Sequence, residues 1–176
     1  MTGTVTAEDV RTAFGRRDTP LAELSTAAPE LAHACHAMAV RFARGGRLLA
    51  FGDGLAAEDA AHVVVEFAHP VIVGKRALPA MRLVDPATLS LFAEPGDIAL
   101  AISPGGDDPR VAAALTAAAA AGLLTVALVG PTRAPDGVDH VVAVASDDAR
   151  IVREAHETAY NVLWELVHMF LEAKVV

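Results

Sequence analysis

His62 and Glu66 stand four residues apart in an apolar stretch that includes Val63, Val64, Val65 and Phe67, and His69 follows three positions on. On a helix that spacing puts all three on one face. Imidazole and carboxylate presented together can hold a divalent metal, or the carboxylate can take a proton as a general base. The bland alternative is a helix end dotted with solvated polar groups. The valines and Phe67 argue for a largely buried helix, and a buried glutamate requires a partner.

Residues 102 to 109, Ile-Ser-Pro-Gly-Gly-Asp-Asp-Pro, run from an apolar strand pattern through a glycine turn into a helix start, with Pro109 suited to the first helical position. A strand, a tight turn and a helix N-terminus together make a phosphate cradle. Asp107 and Asp108 sit where the anion would be met. A like charge there is unfavourable by about 1 kcal/mol even when well solvated. A second loop, Gly52-Asp53-Gly54-Leu55-Ala56-Ala57, also follows a strand and fits the dinucleotide pattern G-x-G-x-x-A. That pattern calls for an acid about twenty residues on. Asp85, the best candidate, is about thirty past Gly54. A dinucleotide-binding, Rossmann-like protein is therefore an alternative reading.

The elements that would position these loops follow from periodicity and punctuation. Thr6 before Ala-Glu-Asp caps a short helix over about 7–14. Leu21, Leu24, Ala28, Leu31, Cys35, Met38 and Phe42 then recur at spacings of three and four, a seam through 20–43 that Pro29 kinks or divides. Ala32, Ala34, Ala39 and Val40 widen the seam and favour a bundle between subunits. His33 and His36 on its flanks face solvent. Strands are expected at 47–51, 80–84, 97–102, 123–129 and 139–145, and helices at 55–68, 89–93, 109–121 and 149–173. This alternation predicts an α/β fold: a three-layer, doubly wound, flavodoxin-like five-stranded parallel sheet with helices on both faces, preceded by N-terminal helices. Ligands are expected beyond the carboxyl ends of the strands. The 176 residues are read as one domain, with a helical segment over 7–43 and an α/β core over 47–173.

Composition excludes several classes. The net charge of −8 argues against binding a nucleic-acid backbone. The single cysteine, Cys35, rules out an internal disulfide and a cysteine-rich zinc site, and fits a reducing cytoplasm. No basic region followed by an apolar run opens the chain, so no secretory signal is seen. Residues 111–130 carry no charge, but nine are alanine and Gly122 interrupts the run, which reads as a helix and a core strand rather than a membrane span.

Three segments resemble the landmarks of sugar isomerase (SIS) domains: Phe51 to Glu66, Ala101 to Val111, and Arg153-Glu154-Ala155-His156. The nearest subgroup is that of phosphoheptose isomerases and their non-catalytic relatives that associate with the replication initiator. The resemblance, over about 20–173, implies a parallel five-stranded sheet and homodimers or homotetramers, here through the N-terminal and C-terminal helices, with sites shared between subunits. It also implies that His62 and Glu66 serve as metal ligands, zinc being the one cofactor to consider, and as the base that moves a proton between the first two substrate carbons. Ser103 matches the first serine of the family's phosphate loop, and Gly106 is kept. Pro104, Gly105, Asp107, Asp108 and Ala56 depart from the family's threonine, serines and asparagine. Arg153 stands at a glutamine and Asn161 at a histidine of the metal and proton-transfer set. A salt bridge from Arg153 to Glu66, within or between subunits, filling the old metal position, is expected.

Three functional classes follow. One is an active phosphosugar aldose-ketose isomerase with Glu66 as base. The second is a protein that binds a carbohydrate derivative in the same cleft, lined by Gly52, Asp53, Gly54, Ala56, Ser103, Gly105, Gly106, Asp107, Asp108, Arg153 and Asn161. The third is a non-catalytic oligomeric partner. The departures from the family loop weigh against the first.

Overall fold

A computed structural model describes residues 4–52, 54–105, 108–131 and 134–173. Five short apolar segments form an all-parallel sheet in the order β2-β1-β3-β4-β5, with β1 Leu48–Gly52, β2 Ala80–Arg82, β3 Ile98–Ser103, β4 Leu124–Val129 and β5 His140–Ala143. The central strands β1, β3 and β4 are buried along their whole length. That explains why they read as continuous Val, Leu, Ile and Ala runs rather than alternating patterns.

Side chains alternate between two cores. Leu48, Ala50, Ile98, Leu100, Ile102, Val126 and Leu128 face α2 (Ala28–Ala43), α3 (Ala56–Ala68) and α6 (Ala149–Glu172). Leu49, Phe51, Ala99, Ala101, Ala127 and Val129 face α5 (Pro109–Ala120) and the short α4 (Leu89–Phe92). The expected doubly wound architecture is what forms. No helix among the described residues is long and apolar enough to cross a membrane.

The N-terminal helices depart from expectation in extent. The helix foreseen over 7–14 continues to Thr26 as α1 (Ala7–Thr26), with Pro20 inside it. Thr6 and Asp9 cap its start reciprocally, and Arg17 clamps Glu154 of α6 through two bonds of 2.5 and 2.8 Å. The break comes at Ala27, so Pro29 falls in the first turn of α2, where a missing N–H costs least.

Most of the apolar seam is consumed within the chain. Leu31, Cys35, Met38 and Phe42 are buried in the core shared with Tyr160, Leu163 and Val167 of α6, whereas Leu21 and Ala28 are exposed. The seam therefore covers its own sheet first, as a single amphipathic stripe does when a sheet face is available. His33 and His36 are exposed as foreseen.

Candidate functional site

Strand order reverses between β1 and β3, which opens a crevice at their carboxyl ends. Gly52 ends β1 beside Ile102, and Ser103 ends β3. A Cβ on Gly52 would lie 2.6 Å from the Ala56 carbonyl oxygen and 2.8 Å from that of Ile102, so the loop into α3 closes only over a glycine. Gly54 takes a positive φ of 44° in that loop. A Cβ on Gly130, just past β4, would collide with the Pro104 carbonyl, so the β3 to α5 turn also lies tight over the sheet edge. Ser103 is buried beneath it. Asp53, Gly106 and Asp107, all expected at the rim, lie outside the described residues. Gly105 is described and lies in the turn before α5.

Asp108 is the N-cap of α5. Its carboxylate accepts from the Arg110 amide at 2.8 Å and from the Arg110 guanidinium at 2.7 Å. The Arg110 guanidinium, against a smaller effect of burial, holds this carboxyl below the usual carboxylate range. The helix N-terminus that would greet a phosphate is thus engaged by an anion of its own chain. The repulsion expected from Asp108 is softened by Arg110. What the site loses is donor capacity.

Behind the crevice a polar seam joins α3 to α6. Arg153 forks onto Asp59, Nε to Oδ2 at 2.7 Å and Nη2 to Oδ1 at 2.6 Å. One turn along, His62 Nε2 is 3.2 Å from Glu66 Oε1, and its Nδ1 is 2.8 Å from the Tyr160 hydroxyl. Glu157 Oε1 is 3.8 Å from the same Nδ1. Ala56, at the start of α3, is buried.

The expected salt bridge from Arg153 to Glu66 is corrected by this arrangement. Within this chain Arg153 closes on Asp59, and Glu66 faces His62. Both α3 and α6 begin at the carboxyl edge of the sheet, so the fifth residue of α6 comes level with the fourth residue of α3. Glu66 lies two turns further down. His69 is the exposed C-cap residue of α3, with non-helical backbone angles. Asn161 is exposed and donates to the Glu157 carbonyl of its own helix at 3.0 Å.

Asp59, Glu157 and Tyr160 are the residues that sequence reasoning missed. Asp59 had a signal, since it stands three before His62 and seven before Glu66 on one helical face. Tyr160, the one tyrosine of the chain, had none beyond its rarity.

The donor set does not fit a metal. Nδ1 of His62 is already hydrogen-bonded to Tyr160 and its Nε2 lies against Glu66, Arg153 puts a cation in the seam, and Asn161 turns to its own backbone. No group of three His, Cys, Asp or Glu side chains arranged to hold a metal occurs among the described residues. His156, in the matched C-terminal segment, is fully buried with Nε2 3.0 Å from the Val129 carbonyl, and burial pushes its pKa down. It reads as a neutral structural group.

Comparison with known proteins agrees with the fold. The chain is 32% identical over 183 aligned positions to the phosphoheptose isomerase of Solidesulfovibrio magneticus, covering 93% of this chain and 87% of that one. It is 33% identical over 190 positions to that of Desulfovibrio desulfuricans, covering 94% and 89%. Among solved structures, a phosphoheptose isomerase from Francisella tularensis superposes with a TM-score of 0.85 at 19% identity, over 94% of this chain and all of that one. No family model matches the chain. The fold and crevice define an SIS-type protein. The chain belongs to the phosphoheptose isomerase family.

Proposed function

We propose that this protein binds a carbohydrate derivative in the crevice at the ends of β1 and β3, and has lost the family's aldose-ketose chemistry. The observation that carries the reading is the Arg153 to Asp59 fork, which puts a fixed ion pair in the seam where the family resemblance implies a glutamine of the metal and proton-transfer set. The self-capped α5 supports it, because the phosphate end of a sugar phosphate would compete with Asp108 for the same helix terminus. Glu66 and His62 keep each other company rather than waiting on a ligand. The dinucleotide reading loses its acid, since Asp85 instead caps the turn at Pro86–Thr88 through the Ala87 amide at 3.0 Å.

Thermal shift separates the readings. Millimolar sedoheptulose 7-phosphate is expected to raise Tm no more than its unphosphorylated sugar does. A clearly larger shift with the phosphorylated form would restore the phosphate cradle and the active-isomerase alternative.

The reading includes self-association as a homodimer or homotetramer. Val10 and Phe14 of α1 and Val71 and Val73 after α3 are exposed large apolar residues that a second copy would cover. Light scattering on purified protein tests this, and a monomeric mass at micromolar concentration would remove it.

A further inference from the structure

We infer that the Tyr160 hydroxyl keeps His62 and Glu66 from acting as a metal pair, by fixing which imidazole nitrogen carries the proton. The inference rests on the reading above and supplies its physical cause. Glu66 Oε1 is 3.2 Å from Nε2. A carboxylate only accepts, so in the neutral ring the proton sits on Nε2. Nδ1 is then left with a lone pair, and the Tyr160 hydroxyl, 2.8 Å away, donates into it.

Tyr160 is suited to that duty. It is almost fully buried, and its ring meets the imidazole edge-on at 82°, with centroids 5.5 Å apart. A phenol of ordinary acidity, with a pKa of about 10, keeps its proton at neutral pH, so the hydroxyl stays a donor. Nδ1 is held by the hydroxyl and the protonated Nε2 faces Glu66, so no lone pair remains for a cation.

A ligating histidine uses one nitrogen for the metal and gives its other N–H to an acceptor. The acceptor for such an arrangement is already present, since Glu157 Oε1 lies 3.8 Å from Nδ1. Without the Tyr160 hydroxyl, the tautomer with Nδ1–H turned to Glu157 opens, and the Nε2 lone pair then points beside Glu66. That is a histidine and carboxylate pair of the kind that zinc takes. The Tyr160 hydroxyl therefore keeps His62 from the tautomer a metal ligand needs, beside the Arg153 cation that also occupies the seam. Tyr160 acts here as a positioning residue, through His62.

Two measurements test this. Long-range proton-nitrogen correlation spectra of the unaltered protein at pH 8 are expected to report His62 as the Nε2–H tautomer. An Nδ1–H tautomer would overturn the inference. Zinc titration by calorimetry is expected to find Tyr160→Phe binding at least about tenfold tighter than the unaltered protein, the lower end of what an outer hydrogen bond is worth to a metal site. Adding His62→Ala is expected to abolish the gain. Equal affinities, or zinc held through His62 in the unaltered protein, would contradict it. The spectrum needs no substitution, so a poorly folding variant leaves the inference exposed to failure. Isomerase turnover without added zinc would sink the functional reading and leave the tautomer standing.

Discussion

Arg153 and Asp59 tie the first turns of two parallel helices together through two charge-assisted bonds of 2.6 and 2.7 Å. Asp59 is 15% exposed and Arg153 32%, so the pair is shielded more than a surface bridge and less than a core one. Its position joins stability to function. The same bonds that dock α6 on α3 put a cation into the seam behind the crevice.

Arg153→Ala is expected to cost roughly 1–3 kcal/mol in urea unfolding, between the values typical of exposed and buried pairs, because Asp59 is left shielded and unpaired. Asp59→Asn combined with Arg153→Ala is expected to cost less than the sum of the two single changes. Strict additivity would mean that the fork contributes nothing as a pair.

Asp108→Ser keeps a capping side chain on α5 but removes the internal anion. Calorimetry with inorganic phosphate is expected to find a several-fold rise in affinity, on the order of 1 kcal/mol, which is what one solvated like charge supplies. No rise would mean that the turn itself is closed to anions.

Acid sensitivity is expected at the opposite end of the sheet. Burial disfavours the charged form of Asp97, but hydrogen bonds from the Arg47 side chain and amide and from the Glu94 amide outweigh it and hold its pKa below the ordinary value. A carboxyl whose folded pKa lies below its unfolded one adds stability above the unfolded value, about 4, and loses it as pH falls further. Asp148, lowered to about 2 chiefly by the Arg150 side chain, behaves in the same sense. Stability is therefore expected to fall steeply below about pH 4, and Asp97→Asn to flatten that limb while lowering stability at neutral pH. An unchanged acid limb in the variant would show that Asp97 is not the group responsible.

Much of the fold was legible because its punctuation is local. Pro109 opens α5 and Gly122, at a φ of 80°, follows it, and each β-strand begins within one residue of the expected position. Helix α1 was misjudged because it docks on the distant α6, with the Arg17 to Glu154 clamp among its contacts, which no local pattern encodes. The site divided in the same way. Gly52, Ser103 and Asp108 were legible as ends of strands and starts of helices. The partners of Arg153 and His62 were not, since they depend on how α6 is rotated and slid against α3. Spacing within one helix puts Asp59, His62 and Glu66 on a face, but it does not say which of them an arginine on another helix will meet.

The most direct test of lost isomerase chemistry is turnover of sedoheptulose 7-phosphate, followed by formation of the aldose product, with and without added zinc. The expected result is no conversion above the protein-free background in either condition. Conversion by the unaltered protein that disappears in Glu66→Gln would contradict the account and make Glu66 the working base of an active isomerase.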